Sequence, residues 1–158
     1  MQRKVAVMTG TRADFGLLRP LLTELAGRPD ADLQLIVTGT HLSAAHGSTV
    51  TEITAAGFDI AAEVSIWGDD DSSLAAAVDT GAAVSSFAKT LSALESDVVV
   101  VLGDRLEAFA MASAALILQK PVAHIHGGEL TLGAMDDSLR HAITKLSYLH
   151  FTTTEEHR

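Results

Sequence analysis

The chain has 158 residues, no cysteine, 47% hydrophobic residues and a formal charge of −9. That length fits one domain with a sizeable core, and the absence of cysteine excludes a disulfide framework. The acidic balance, with no basic patch or basic amphipathic helix, argues against nucleic acid or an anionic membrane as partner. It leaves room for a small anionic ligand held by a few local cations and helix N-termini.

The opening MQRKVAVMTG has the cations and apolar run of a signal peptide, but the run is short and TGTRAD follows it. It reads instead as a first strand, 4–10, of a cytoplasmic protein. FGLLRPLLTELAG (15–27) follows with helical spacing of Leu17, Leu18, Leu21, Leu22 and Leu25; Pro20 either limits where this helix begins or bends it. DLQLIVTG (32–39) is a second strand, 48–57 a short helix closed by glycine, and FDIAAEVSI (58–66) is extended. Asp71, Ser72 or Ser73 caps an alanine-rich helix running to about Leu94. DVVVVLG (97–103) is the clearest buried strand, and a helix over 106–118 follows it. PVAHIHGG (121–128) is another strand, 138–149 another helix, and HFTTT (150–154) begins as a short strand. The final TTEEHR reads as a helix start interrupted after one turn. No apolar run is long and charge-free enough to span a bilayer. Continuously apolar strands alternating with helices predict an α/β fold: a Rossmann-like parallel sheet with helices on both faces.

Ligands of open parallel sheets bind beyond the carboxyl ends of the strands. After the first strand come Arg12 and Asp14, after the second His41, after DVVVVLG the run Asp104, Arg105 and Glu107, and after PVAHIHGG Glu129, Asp136 and Asp137. Each has a plain structural reading. Asp14 and Asp104 can cap helices, leaving Arg105 and Glu107 solvated, and Asp136 or Asp137 can cap the next helix with Asp136–Arg140 and Asp137–His141 pairs behind it. Dinucleotide and P-loop fingerprints are both absent, although TGTRAD can still present N–H groups and Arg12 to a phosphate. His124 and His126 alternate along one strand face, yet with no cysteine and no other compact ligand cluster they do not make a metal set with Glu129. His46 and His157 read as surface residues, and Gly127, Gly128 and Gly133 as devices that let backbone approach a ligand.

The set TGTRADFGLLRPLL, VTGTHLS, VLGDRLE and HIHGGELTLGAMDDSLRHAITKLSYLHFTTTEEHR resembles the hydrolysing UDP-N-acetylglucosamine 2-epimerases of sialic acid biosynthesis, from about residue 5 onward. The resemblance implies the N-terminal half of a two-domain, glycosyltransferase-B-type protein, with the second nucleotide-binding domain missing and a homo-oligomer for the full-length form. It implies a UDP-sugar as substrate. UDP-GlcNAc would lose UDP by elimination to a 2-acetamidoglucal, and water would add to give N-acetylmannosamine, without metal or redox cofactor. Asp104 and Asp136, with Asp137 adjacent, match the family's catalytic aspartates; Arg12, Gly16 and Arg105 match positions that contact UDP, and His41, Arg140 and His141 join the substrate-binding set. Some members carry a catalytic glutamate where this chain has His126, so Glu129 supplies the carboxylate or His126 takes over the acid–base role. GDP-linked or 2,4-diacetamido sugar nucleotides, a non-hydrolysing epimerase, and a binding fragment without turnover are the competing readings.

Overall fold

Short runs rich in valine, isoleucine and leucine become six parallel strands: β1 (Arg3–Thr9), β2 (Ala31–Thr38), β3 (Ile60–Val64), β4 (Val98–Leu102), β5 (Val122–Ile125) and β6 (Leu149–Phe151). They come from a computed structural model that describes residues 2–43, 49–68, 70–130 and 135–157. The helices between them are α1 (Arg12–Gly27), α2 (Val50–Ala55), α3 (Ser73–Ala93), α4 (Leu106–Ile117) and α5 (Met135–Leu146). The sheet order is β3-β2-β1-β4-β5-β6, so the expected α/β architecture is present, and chain direction across the sheet reverses between β1 and β4.

Both faces of the sheet are covered over its four inner strands, which is why β1, β2, β4 and β5 carry continuous apolar runs. On one face Val5, Val7, Leu35, Val37 and Val100 pack against Phe15, Leu18 and Leu22 of α1 and Ile53 of α2. On the other, Ala6, Met8, Val99 and Val101 meet Phe87 and Leu91 of α3, Met111 of α4 and Ile143 of α5. Helix α4 lies between α3 and α5, and its buried face is mostly alanine (108, 110, 112, 114 and 115). Those small side chains let three helices share one side of the sheet.

Helix boundaries differ from the sequence reading in instructive ways. Helix α1 starts at Arg12, not 15, because the Thr11 side chain accepts from the Asp14 N–H and caps it; Asp14 instead accepts from the Gly10 N–H at 3.3 Å. Pro20 sits inside this helix. The carbonyl it deprives of a donor belongs to Gly16, and both residues are exposed, where water can take the lost bond. Helix α5 begins at Met135, three residues before the expected 138, which moves Asp136 and Asp137 into its first turn. Among the described residues no helix is long and apolar enough to cross a membrane.

Candidate active site

The strand-order reversal opens a crevice at the carboxyl ends of β1 and β4, where the connections out of each strand diverge to opposite faces. On the β1 side, Arg12 is exposed and its Nε donates to Glu52 of α2 at 2.9 Å, a pair whose exposure keeps it weak and exchangeable. Gly16 lies one turn further on the same exposed side of α1. His41, expected to face a ligand, is turned inward: it is 1% exposed, with Nε2 3.0 Å from the Thr9 hydroxyl and Nδ1 2.7 Å from that of Thr49. Its two ring nitrogens are taken by the protein, so it ties β1 to the segment before α2.

On the β4 side, Arg105 rather than Asp104 occupies the N-cap position of α4 and makes no side-chain cap. That frees the Asp104 carboxylate, which accepts from Arg140 Nη2 of α5. Arg140 Nη1 donates to Glu129 Oε2 at 3.1 Å, and the same oxygen lies 2.8 Å from His126 Nε2. Glu129 Oε1 accepts from the Thr153 hydroxyl, beyond β6. One buried guanidinium, 8% exposed, thus bridges two carboxylates that are 19% and 25% exposed. The expected i,i+4 pairing of Arg140 along its own helix gives way to this bridge, because α5 lies beside β5 with Arg140 facing the strand ends. The Thr153 hydrogen bond holds the Glu129 carboxyl below its ordinary 4.5, aided by His126, Arg140 and His157 and opposed by burial, so it is ionised at neutral pH. Asp137 lies 3.7 Å from His141, as expected, and Asp136 is exposed on the first turn of α5.

His126 is not in the strand with His124. Strand β5 ends at Ile125, and His126 takes a left-handed backbone (φ 67°) with its N–H donated to the Phe151 carbonyl. Residues held in that region cost energy, and they concentrate at functional sites. His124 points the other way and is fully buried: Nε2–H donates to the Gly103 carbonyl at 2.7 Å, and Nδ1 accepts from Thr144. It pins the turn (Gly103, φ 75°) that presents Asp104. Gly127 abuts the His124 ring and Gly128 abuts the His157 carbonyl, so the protein's own atoms fill the space their missing side chains leave. Gly133 and His46 lie outside the described residues. Among those described, no three His, Asp or Glu side chains gather closely enough to hold a metal ion.

Burial lowers the pKa of both His124 and His41 below the ordinary 6.5, against opposing pulls from the Gly103 carbonyl and Asp104 on one and from Asp14, the Thr11 backbone and Glu52 on the other. The folded chain therefore binds fewer protons than the unfolded chain once pH drops below about 6.5. Stability should fall as pH goes from 7 to 5, by at most about 1.4 kcal/mol per pH unit for each histidine. Glu129 works in a separate window, losing its contribution only as pH falls below 4.5. Urea midpoints at pH 7, 6 and 5 check this; midpoints flat across that range would show that these imidazoles are not held neutral.

The family model described as UDP-N-acetylglucosamine 2-epimerase matches residues 23–158. The chain belongs to that family. It is 45% identical over 157 residues to the hydrolysing UDP-N,N'-diacetylbacillosamine 2-epimerase of Legionella pneumophila, covering 98% of this chain and 41% of that protein. It is 42% identical over 154 residues to the hydrolysing GDP/UDP-N,N'-diacetylbacillosamine 2-epimerase of Campylobacter jejuni, covering 98% and 40%, and 36% identical to the UDP-N-acetylglucosamine 2-epimerase of Neisseria meningitidis, again 98% and 40%. A solved UDP-N-acetylglucosamine 2-epimerase superposes with a TM-score of 0.88 at 24% identity, over 99% of this chain and 43% of that one. The Methanocaldococcus jannaschii enzyme, solved in complex with UDP-GlcNAc and UDP, superposes with a TM-score of 0.83 at 25% identity, over 98% and 41%. The chain therefore spans about 40% of the length of the curated relatives it matches.

Proposed function

We propose that this chain is the N-terminal domain of a cytoplasmic hydrolysing sugar-nucleotide 2-epimerase, which converts UDP-GlcNAc to N-acetylmannosamine and UDP. The observation that carries the reading is the Arg140 bridge, which holds the Asp104 and Glu129 carboxylates together at the strand ends of a family chain. Elimination requires a carboxylate to take the C2 proton while the C1–oxygen bond breaks and UDP leaves with the electron pair. The 2-acetamidoglucal then gains a hydroxyl from water at C1 and a proton at C2 on the opposite face. Asp104 and Glu129 share these proton transfers. His126, 2.8 Å from Glu129, relays protons to it, and Asp136 and Asp137 assist from the first turn of α5. Arg12, Arg105 and the backbone around Gly16 hold the diphosphate, where cationic donors stabilise the departing anion best. Arg140 and His141 brace the site from α5.

The second reading, a 2,4-diacetamido sugar nucleotide as substrate, is favoured by the names of the relatives at 45% and 42% identity. Half a cleft positions neither the sugar nor the attacking water, so the 158-residue chain alone should bind UDP without turnover. Joined to the C-terminal half of a relative, it should release UDP and free 2-epimerised sugar. Supplying UDP-GlcNAc and UDP-N,N'-diacetylbacillosamine side by side decides between the substrates. Formation of UDP-ManNAc would refute the hydrolysing reaction, and no release from either would leave a binding module.

A further inference from the structure

Glu107 is the second residue of α4, placed so that sequence alone makes it a solvated helix residue. It is instead among the most buried polar groups of the chain, with a side chain 2% exposed. It lies under the loops that leave β1 and β2. A methyl group on Gly10 would sit 2.7 Å from its Oε1 and 3.0 Å from its Cγ, and one on Gly39 would sit 3.3 Å from that oxygen. Glycine at both positions is what admits the carboxylate. The two loops are also joined to each other, since the Thr40 N–H donates to the Gly10 carbonyl at 2.9 Å.

The cation that answers this carboxylate is Arg105, whose Nε donates to Oε1 at 2.7 Å while its side chain stays 49% exposed. Burying an ionised carboxylate is costly, and an apolar side chain of similar size would serve packing as well or better. A carboxylate is needed if the guanidinium must be aimed. Nε is engaged, and among the described residues Nη1 and Nη2 make no hydrogen bond, which leaves the fork available to a ligand. Asp14 from the first turn of α1 and Asp136 from α5 both act electrostatically on Arg105, which places it where α1, α4 and α5 converge.

We propose that Glu107 is a positioning residue that fixes the Arg105 fork over the crevice between β1 and β4, so that its two Nη groups grip a nucleoside diphosphate. This deepens the nucleotide-sugar reading and rests on it. Bidentate grip by a pre-aimed guanidinium is the strong form of phosphate recognition, and a free arginine must be ordered before it can grip.

The test is calorimetric titration of the 158-residue chain with UDP and, separately, with uridine. Glu107→Leu should weaken UDP binding by about tenfold and leave uridine binding unchanged, whereas Glu107→Gln, which still accepts from Nε, should stay within about threefold. Arg105→Lys keeps the charge but removes the Nε donor and the fork, and should lose about as much as Glu107→Leu. Because it alters a half-exposed side chain, it carries the test should Glu107→Leu fail to fold. Combining Arg105→Lys with Glu107→Gln should add nothing to the loss from Arg105→Lys alone. Additive losses, equal weakening of UDP and uridine, or unchanged affinity in Arg105→Lys would overturn the positioning role while leaving UDP binding by the unsubstituted chain intact. No UDP binding by the unsubstituted chain would overturn both readings.

Discussion

Arg140→Ala is expected to cost about 2–3 kcal/mol of folding stability at pH 7. Removing one member of a buried ion pair typically costs about 3–5 kcal/mol, because the remaining charge is left desolvated without a counterion. Two carboxylates would be stranded here, and Asp104 and Glu129 would then repel each other across the vacated space. Their partial exposure lets water enter, which places the expected cost below the fully buried range. The penalty also has a predictable pH dependence. Without Arg140 the Glu129 carboxyl loses one of the pulls that hold it below 4.5, so the difference from the unsubstituted chain should shrink as pH falls toward 4. Arg140→Met separates charge from packing: it restores most of the volume but not the positive charge, so it should recover little at pH 7. Urea midpoints of the three proteins at pH 7 and 4.5 provide the measurement. Equal midpoints at pH 7 would mean that the bridge contributes nothing to folding.

Asp104→Asn should do the reverse, sparing the fold and removing the chemistry. The amide keeps an oxygen to accept from Arg140, so stability should change by less than about 1 kcal/mol. An amide cannot take a proton from carbon, so UDP release from the sugar nucleotide should fall by about a thousandfold in any form of the protein long enough to turn over. UDP affinity should hardly move, since the diphosphate is assigned to Arg12 and Arg105. Normal release by this variant would remove Asp104 from the mechanism and shift the base role to Glu129. Variants at 104 and 140 thus test one cluster from opposite directions, one through kcat and the other through the unfolding midpoint.

The repeating strand–helix pattern was readable because each apolar run is short and is followed by residues suited to a turn or a cap. The edge where polar residues gather was readable for the same reason, since the residues just past each strand end can be named without tertiary knowledge. Thr153, after β6, fell within that rule but lacks a titratable group to draw notice. What sequence could not supply was direction. Arg140 has an acidic residue four positions before it, as local pairing prefers, yet it reaches 36 residues back to Asp104 because α5 packs beside β5. His124 and His126 obey strand alternation on paper, but the strand stops between them. Glu107 looked solvated because its burial depends on two glycines from distant loops, 97 and 68 residues earlier in the chain. The C-terminal ends of α3 and α4 were readable to within a residue although no glycine marks them: Glu95 and Gln119 adopt the left-handed conformation that glycine usually signals.

The placement of the crevice also bears on how the chain reaches its folded state. Strands β1 and β4 are adjacent in the sheet but far apart in sequence: Val5 pairs with Val98, and the Lys4 N–H donates to Asp97. During synthesis, β1 through β3 and their helices emerge long before β4 exists, leaving the inner edge of β1 without a partner. Long-range parallel pairing of this kind is slow, and an uncovered apolar edge invites mispairing until it closes. The crevice proposed to take the ligand is therefore also the folding seam. A nucleotide gripped from both sides would favour the closed seam by mass action, so the substrate would act on the protein's assembly as well as on its chemistry.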